Sequence, residues 1–257
     1  MADQLGSDTH LEAPPIVHTR PELRLAVVST PRSGNTWLRR LLVELYGLAE
    51  RAAHDPVEVD WQGLPPRCVL QIHWHRTVSF VELLDRHRFQ VVVLARHPLD
   101  VLLSILHFAP RDPSTSHWLN GENGNEFPIY GSMPCSSAFM EYATGRRAAA
   151  LLSVSREWWA PRGVIQVRYE SLVSTPHQEV GRLIHELGVR TNRSIAEALA
   201  ATTMANLRQI TQSGHHFWQG RPGLWRSLLP AREARQIAAA HPTVFSELNY
   251  SCTADAD

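Results

Sequence analysis

The chain has 257 residues, 44% of them hydrophobic, and 25 basic side chains balance 25 acidic ones. That length suits one α/β domain or two small ones. The balanced charge argues against a general nucleic-acid surface, and no run of 18 apolar residues offers a transmembrane helix. Every basic residue is arginine, so any anion site must use guanidinium groups, histidines, hydroxyls and backbone N–H.

Residues 1 to about 22 are polar and proline-bearing and are expected to fray. They carry acids and no apolar core, so they do not read as a secretory signal. Leu25–Thr30 is a short apolar, β-prone run. Asn35–Leu48 reads as a helix with Trp37, Leu41, Leu45 and Leu48 on one face. Residues 54–66 contain the breakers Pro56, Gly63, Pro65 and Pro66 and read as loop. A second strand covers Cys68–His73 and a short helix Val78–Arg86. The run FQVVVLARHP predicts a buried strand stopping at His97-Pro98, followed by a helix over LDVLLSILHF.

Residues 109–137 are dense in Pro, Gly, Asn and Ser, and a loop that long is more often functional than idle. Helix returns over 138–160. GVIQVRYESL predicts a fourth strand, and TPHQEVGRLIHELGV a helix that Gly188 stops. Residues 194–210 read as helix, SGHHFWQGRPGLWR as a Gly-rich loop, and PAREARQIAAAHP as the last helix. The three cysteines, Cys68, Cys135 and Cys252, lack CxxC spacing. That argues against a disulfide framework or zinc knuckle and for a reduced, cytoplasmic setting.

Strands alternating with helices at this spacing predict an α/β fold, a central parallel β-sheet flanked by helices. Ligands of such sheets bind beyond the C-terminal strand ends. All four predicted strands end in polar groups, at Arg32-Ser33, His73, Arg96-His97 and Tyr169-Glu170, which predicts one shared site.

The segment STPRSGNTWLRRLL puts Arg32, Ser33, Gly34, Asn35 and Thr36 between a strand and a helix N-terminus. Backbone N–H groups there point outward, and the helix dipole adds partial positive charge. Arginine supplies a fork matched to phosphate or sulfate oxygens. A capped helix with an incidental arginine is the plainer reading of such a turn alone. GxxxxGK[ST] is absent, which disfavours nucleoside triphosphate hydrolysis.

The segment resembles the 5′-phosphosulfate-binding loop of the sulfotransferase family, whose donor is 3′-phosphoadenosine 5′-phosphosulfate (PAPS). The family commonly has lysine where this chain has Arg32. VVVLARHPLDVLLSILHF is similar to the family's 3′-phosphate segment through Arg96, Pro98, Asp100 and Ser104. Independently of the family, Asp100 and Ser104 stand i and i+4 on one helix face. CVLQIHWHRT places His73 where the family has its general base, with Gln71 where cytosolic small-molecule members usually have lysine. An imidazole titrates near neutrality and can take a hydroxyl proton. The other readings of His73 are a core histidine or, with His75, a metal ligand.

By the same resemblance, Trp37 and Tyr169 flank adenine, and Thr202 and Met204 form a further adenine-side segment. FWQGRPGLWRSLL is similar to the family's glycine-rich C-terminal loop through Gly220, Gly223, Trp225 and Arg226. It departs in having Trp218-Gln219 where the family sets Arg-Lys on the 3′-phosphate, with Arg221 as the candidate substitute. The resemblance implies a P-loop-like three-layer architecture and a single domain over 23–251. It implies transfer of a sulfuryl group from PAPS to an acceptor hydroxyl or amine, releasing adenosine 3′,5′-bisphosphate (PAP), with no metal required. Arg32 serves catalysis alongside His73, and Ser33, Gly34, Asn35 and Thr36 cradle the 5′-phosphate. Arg96 and Ser104 hold the 3′-phosphate. Two rivals stand beside this reading: a PAP-binding protein without transfer activity, and a P-loop kinase. Residues 109–137 and the stretch CSSAFMEYATGRRAAALL are expected to line the acceptor cleft. Glycan, lipid, peptide and small alcohol remain open as acceptors, as does oligomeric state. Arg146 and Arg147 read as an exposed helix face or as contacts to an anionic acceptor.

Overall fold

A computed structural model describes residues 21–210 and 219–252. Of the stretches read above, residues 1–20 of the N-terminal segment and 211–218 of the Gly-rich loop, including Trp218, lie outside the described residues.

The chain opens with β1 (Leu23–Ser29), α1 (Asn35–Tyr46), β2 (Ala49–Ala53) and β3 (Arg67–Ile72). It continues through α2 (Val78–Arg86), β4 (Phe89–Ala95) and α3 (Pro98–Phe108). Short 3-10 turns fill most of 109–129 before α4 (Ser137–Thr144), α5 (Arg146–Trp159) and β5 (Ile165–Arg168). Then come α6 (Tyr169–Ser174), α7 (Pro176–Leu187), α8 (Ile195–Ala201) and α9 (Met204–Ile210). The described chain ends through α10 (Trp225–Leu228), α11 (Ala231–Ala240) and α12 (Pro242–Glu247).

The five strands form one sheet in the order β2-β3-β1-β4-β5, and every pairing is parallel. Side chains alternate across a strand, and β1 shows the consequence. Leu23, Leu25 and Val27 enter the core beneath α1, α7 and α8. Ala26 and Val28 enter the opposite core, shared with α3, α5 and α11. Burial on both faces is why β1 and β4 read as continuous apolar runs. It also carries every C-terminal strand tip to one edge, since all strands run the same way.

Several boundaries differ from the sequence reading, each for a local reason. β2, AERAA, has no β-branched residue and pairs only with β3 at the sheet edge, so no pattern announces it. Gly47, at φ 61°, ends α1 before Leu48. Gly145 separates α4 from α5: its backbone is extended, and a side chain there would press on Glu141 O. β5 stops at Arg168, and Tyr169 opens a helix instead of prolonging the strand. The segment 194–210 breaks at Thr202 and Thr203 into α8 and α9. PAREARQIAAAHP is not the last helix. Its own last residue, Pro242, starts α12, in a first-turn position where its missing N–H costs nothing.

Arg147 is neither on an exposed face nor open to a ligand. It is 4% exposed and pairs with the fully buried Glu126, Nε to Oε1 at 2.8 Å. Its Nη1 donates to the carbonyls of Trp118 (2.8 Å) and Glu122 (3.0 Å), and its Nη2 to Thr115 O (3.4 Å). One guanidinium thus organises the irregular region from inside.

Residues beyond α12 return to the sheet tips. Arg168 Nη2 donates to Leu248 O (2.8 Å), and Tyr250 O–H to Glu170 Oε2 (2.8 Å). His97 Nε2 donates to Ser251 O (3.0 Å) while the ring stacks on Trp225 at 4.9 Å.

Candidate active site

The loop after β1 is built for a negative charge. Arg32 has φ 68° and Gly34 φ 99°, and left-handed residues separated by one position turn successive N–H groups inward as an anion nest. Gly34 is required twice over: any Cβ there would collide with the ring of Tyr169. α1 starts at the next residue, adding its dipole. Ser33 is wholly buried, and its hydroxyl finds no partner among the described residues.

Two guanidinium groups converge above this loop. Arg32 Nε donates to Ser104 Oγ (3.3 Å), and its guanidinium lies 3.9 Å over the ring of Phe108. Arg96, leaving the tip of β4, donates from Nη1 to Arg32 O (3.2 Å) and stacks 4.6 Å over Tyr169. Its buried Nε has no partner among the described residues. Burial, and then the charge of Arg96, push the Arg32 guanidinium down to about 9, still protonated at neutral pH.

His73 stands just past the end of β3, next to the loop. It is 5% exposed. Its Nδ1–H donates to Ser29 O (2.8 Å), which leaves the lone pair on Nε2. Asn35 Nδ2 points at that nitrogen from 2.9 Å, with Gln71 Nε2 at 3.5 Å. Burial pushes the ring down to about 4, with the nearby charges of His54, Arg32 and Arg39 acting in the same direction and the Ser29 carbonyl opposing. The imidazole is therefore neutral at physiological pH. His75 has a different environment: its ring meets Glu157 (3.1 Å) and Glu122 (2.9 Å). Among the described residues no group of three or more His, Cys, Asp or Glu could hold a metal ion.

One cleft of about 710 Å³ gathers these groups. Its floor is formed by Arg32, Gly34, Asn35, Thr36, Arg96 and Ser104, with His73 and Gln71 alongside. At one end stand Trp37 and Tyr169, their rings edge-on at 6.1 Å, with Thr202, Met204 and Gly220. Trp37 thus lines the cleft while packing, partly buried, against the core cluster of Leu41 and Leu45. Tyr169 O–H donates to Gly220 O (2.7 Å). Of the residues singled out in the sequence, Ser33 lies beneath the wall and Arg221 is exposed and outside it.

Sequence reasoning missed one contributor, His54, and did not see what Asp100 and Arg147 hold. His54, at the end of the unrecognised edge strand, enters the cleft with its ring 6.5 Å from that of His73. Asp100 accepts the backbone N–H of Gly223 (2.7 Å) and Trp225 (2.9 Å), tying the C-terminal glycine loop to α3. Its acidity at a helix start was a signal that it caps something. Arg147 holds the wall containing Ser114, Thr115 and Trp118.

The residues present fit a multiply anionic ligand. Two arginines crowd each other, and Ser33 Oγ and Arg96 Nε are buried without partners among the described residues, a state that costs stability unless a ligand satisfies it. A parallel α/β sheet with an anion nest at one strand tip and a neutral imidazole at the next defines a group-transfer enzyme. The sequence matches the sulfotransferase domain family over residues 23–241, and the chain belongs to that family. No curated protein matches it by sequence. Its fold is similar to that of the mouse sulfotransferase SULT7A1 complexed with PAP: TM-score 0.64 and 16% identity, over 91% of this chain and 90% of that one. It is also similar to retinol dehydratase in complex with androsterone and PAP: TM-score 0.58 and 16% identity, over 86% and 80% of the two chains.

Proposed function

We propose that the protein transfers the sulfuryl group of PAPS to an acceptor hydroxyl, with His73 as general base and PAP as the leaving product. Family membership supports the reaction class. The observation that carries the rest is that the His73 Nε2 lone pair faces the loop that holds Arg32, where Asn35 Nδ2 meets it. In this reading the acceptor oxygen attacks sulfur as His73 takes its proton, and the bond from sulfur to the 5′-phosphate oxygen breaks. Arg32 and the N–H groups of Ser33, Gly34, Asn35 and Thr36 stabilise charge growing on the departing phosphate. General-base help of this kind is worth about 10²–10⁴ in rate. Arg96 and Ser104 hold the 3′-phosphate. Trp37 and Tyr169 flank the adenine, with Thr202, Met204 and Gly220 behind them. Arg221, exposed beyond the wall, is left without a donor contact. The thiols of Cys68, Cys135 and Cys252 are free, which supports a reducing, cytoplasmic setting.

The test is transfer of labelled sulfate from PAPS to a panel of glycan, lipid, peptide and small-alcohol acceptors. Sterol and retinoid alcohols belong in the panel, since retinol dehydratase is solved with androsterone and with retinol. His73→Ala is expected to abolish transfer while calorimetry still records PAP binding. Retained turnover would remove His73 from its role. Gln219, in place of a cation, favours the rival of a PAP-binding protein without transfer activity. PAP binding without transfer to any acceptor in the panel would select that rival.

A further inference from the structure

The lone pair that must receive the acceptor's proton is already engaged. His73 Nδ1 is committed to Ser29 O, so Nε2 is an acceptor, and Asn35 Nδ2–H fills that acceptor position at 2.9 Å. An imidazole nitrogen has one in-plane lone pair. An acceptor hydroxyl and the Asn35 amide therefore cannot both use it. Asn35 is 6% exposed and His73 5%, so water does not readily replace either partner. The side chain of Asn35 springs from the first residue of α1, inside the anion nest. Loss of its bond to the ring requires another acceptor within reach, and an oxygen of the bound donor's 5′-phosphate or sulfuryl group is the group that arrives there.

We infer that Asn35 is a positioning residue that masks the base in the free enzyme and unmasks it when the donor binds. In the free protein its amide fixes the reactive tautomer and occupies Nε2. With donor bound, Nδ2–H turns to the anion and Nε2 opens to the acceptor hydroxyl. Once the ring is protonated, a turn of the carboxamide presents Oδ1 to the new Nε2–H. No other described carboxamide approaches as closely, since Gln71 stays at 3.5 Å. The charged or titratable groups acting on the ring are His54, at the end of β2, Arg32 of the loop and Arg39 of α1. None of them is a carboxylate, so the imidazolium depends on a neutral partner such as Asn35. This inference rests on the donor assignment above.

The experiment is a through-hydrogen-bond ¹⁵N–¹⁵N coupling measurement on labelled, full-length protein, with PAP as the probe and calorimetry in parallel. The coupling between Asn35 Nδ2 and His73 Nε2 is expected in the free protein and lost at saturating PAP. Its absence from the free protein, or its persistence in the PAP complex, overturns the inference. Failure of PAP to bind instead overturns the donor assignment. Asn35→Ala removes a donor that favours the neutral ring, so the His73 protonation midpoint, followed by ¹⁵N shift, is expected to rise. Asn35→Asp is expected to raise it further, by placing a carboxylate on the ring. A variant that only displaced the loop would weaken PAP binding and leave that midpoint where it was, and this outcome also overturns the inference.

Discussion

Replacing Arg147 with Met tests whether one buried guanidinium builds the acceptor-side wall. Met fills much of the aliphatic volume but donates nothing. Glu126, fully buried, keeps the hydroxyl of Tyr142 at 3.1 Å, and the carbonyls of Trp118, Glu122 and Thr115 lose their shared donor. Breaking a buried ion pair from one side costs about 3–5 kcal/mol, because the remaining charge stays desolvated. At roughly 2–4 °C per kcal/mol for a domain near this size, Tm falls by roughly 6–20 °C. Scanning calorimetry of the wild type, Arg147→Met and the double variant Arg147→Met with Glu126→Leu resolves the cause. The double variant should recover more than half of the loss, because the orphaned carboxylate is gone. In the same proteins the acceptor KM should rise, since Ser114, Thr115 and Trp118 line the cleft, while PAP affinity stays within about twofold. A single variant melting like the wild type, or a double variant as unstable as the single, would falsify the reasoning.

Three further outcomes are expected. Arg96→Ala removes a charge-assisted contact worth about 1.5–3 kcal/mol, so the donor KM should rise about 10- to 150-fold; an unchanged value withdraws the 3′-phosphate assignment. Gly34→Ala forces φ 99° on a residue with a Cβ and drives that carbon into Tyr169, so both Tm and PAP affinity should fall; unaltered calorimetry would mean the nest is dispensable. Burial holds His73 at about 4 in the folded protein, against 6.5 for the free side chain. The unfolded chain therefore binds the proton first as pH falls. Stability from this group is complete above about 6.5 and is lost between 6.5 and 4, by up to about 3 kcal/mol. Urea melts at pH 7.5 and 5 should show a steeper loss for the wild type than for His73→Gln, and equal losses would contradict the buried, neutral ring.

Much of the cleft was legible because it depends on local chemistry. A Gly between small polar residues after an apolar run forecasts the nest, and a polar residue closing each strand forecasts a common edge. What escaped the sequence depends on distant partners. β2 is a strand only because β3 lies beside it, so His54 was lost with it. Tyr169 begins a helix, yet its ring still reaches Gly34 and Arg96, so its reading as a strand-end residue put it in the right place by the wrong secondary structure. Arg147 looked solvated because Glu126 is far away in sequence, and only the fold reveals that the two neutralise each other. Proximity in sequence made Arg221 the candidate replacement cation; in the fold it is exposed and outside the cleft, while Asp100 holds Gly223 and Trp225 by their backbones.

The closing residues of the described chain act as a tie-rod between the two strand ends that carry Arg96 and Tyr169, since His97, Arg168 and Glu170 all grip the segment Leu248–Ser251. A load pulling on that segment bears on His97, the neighbour of Arg96, and on Arg168 and Glu170, which flank Tyr169.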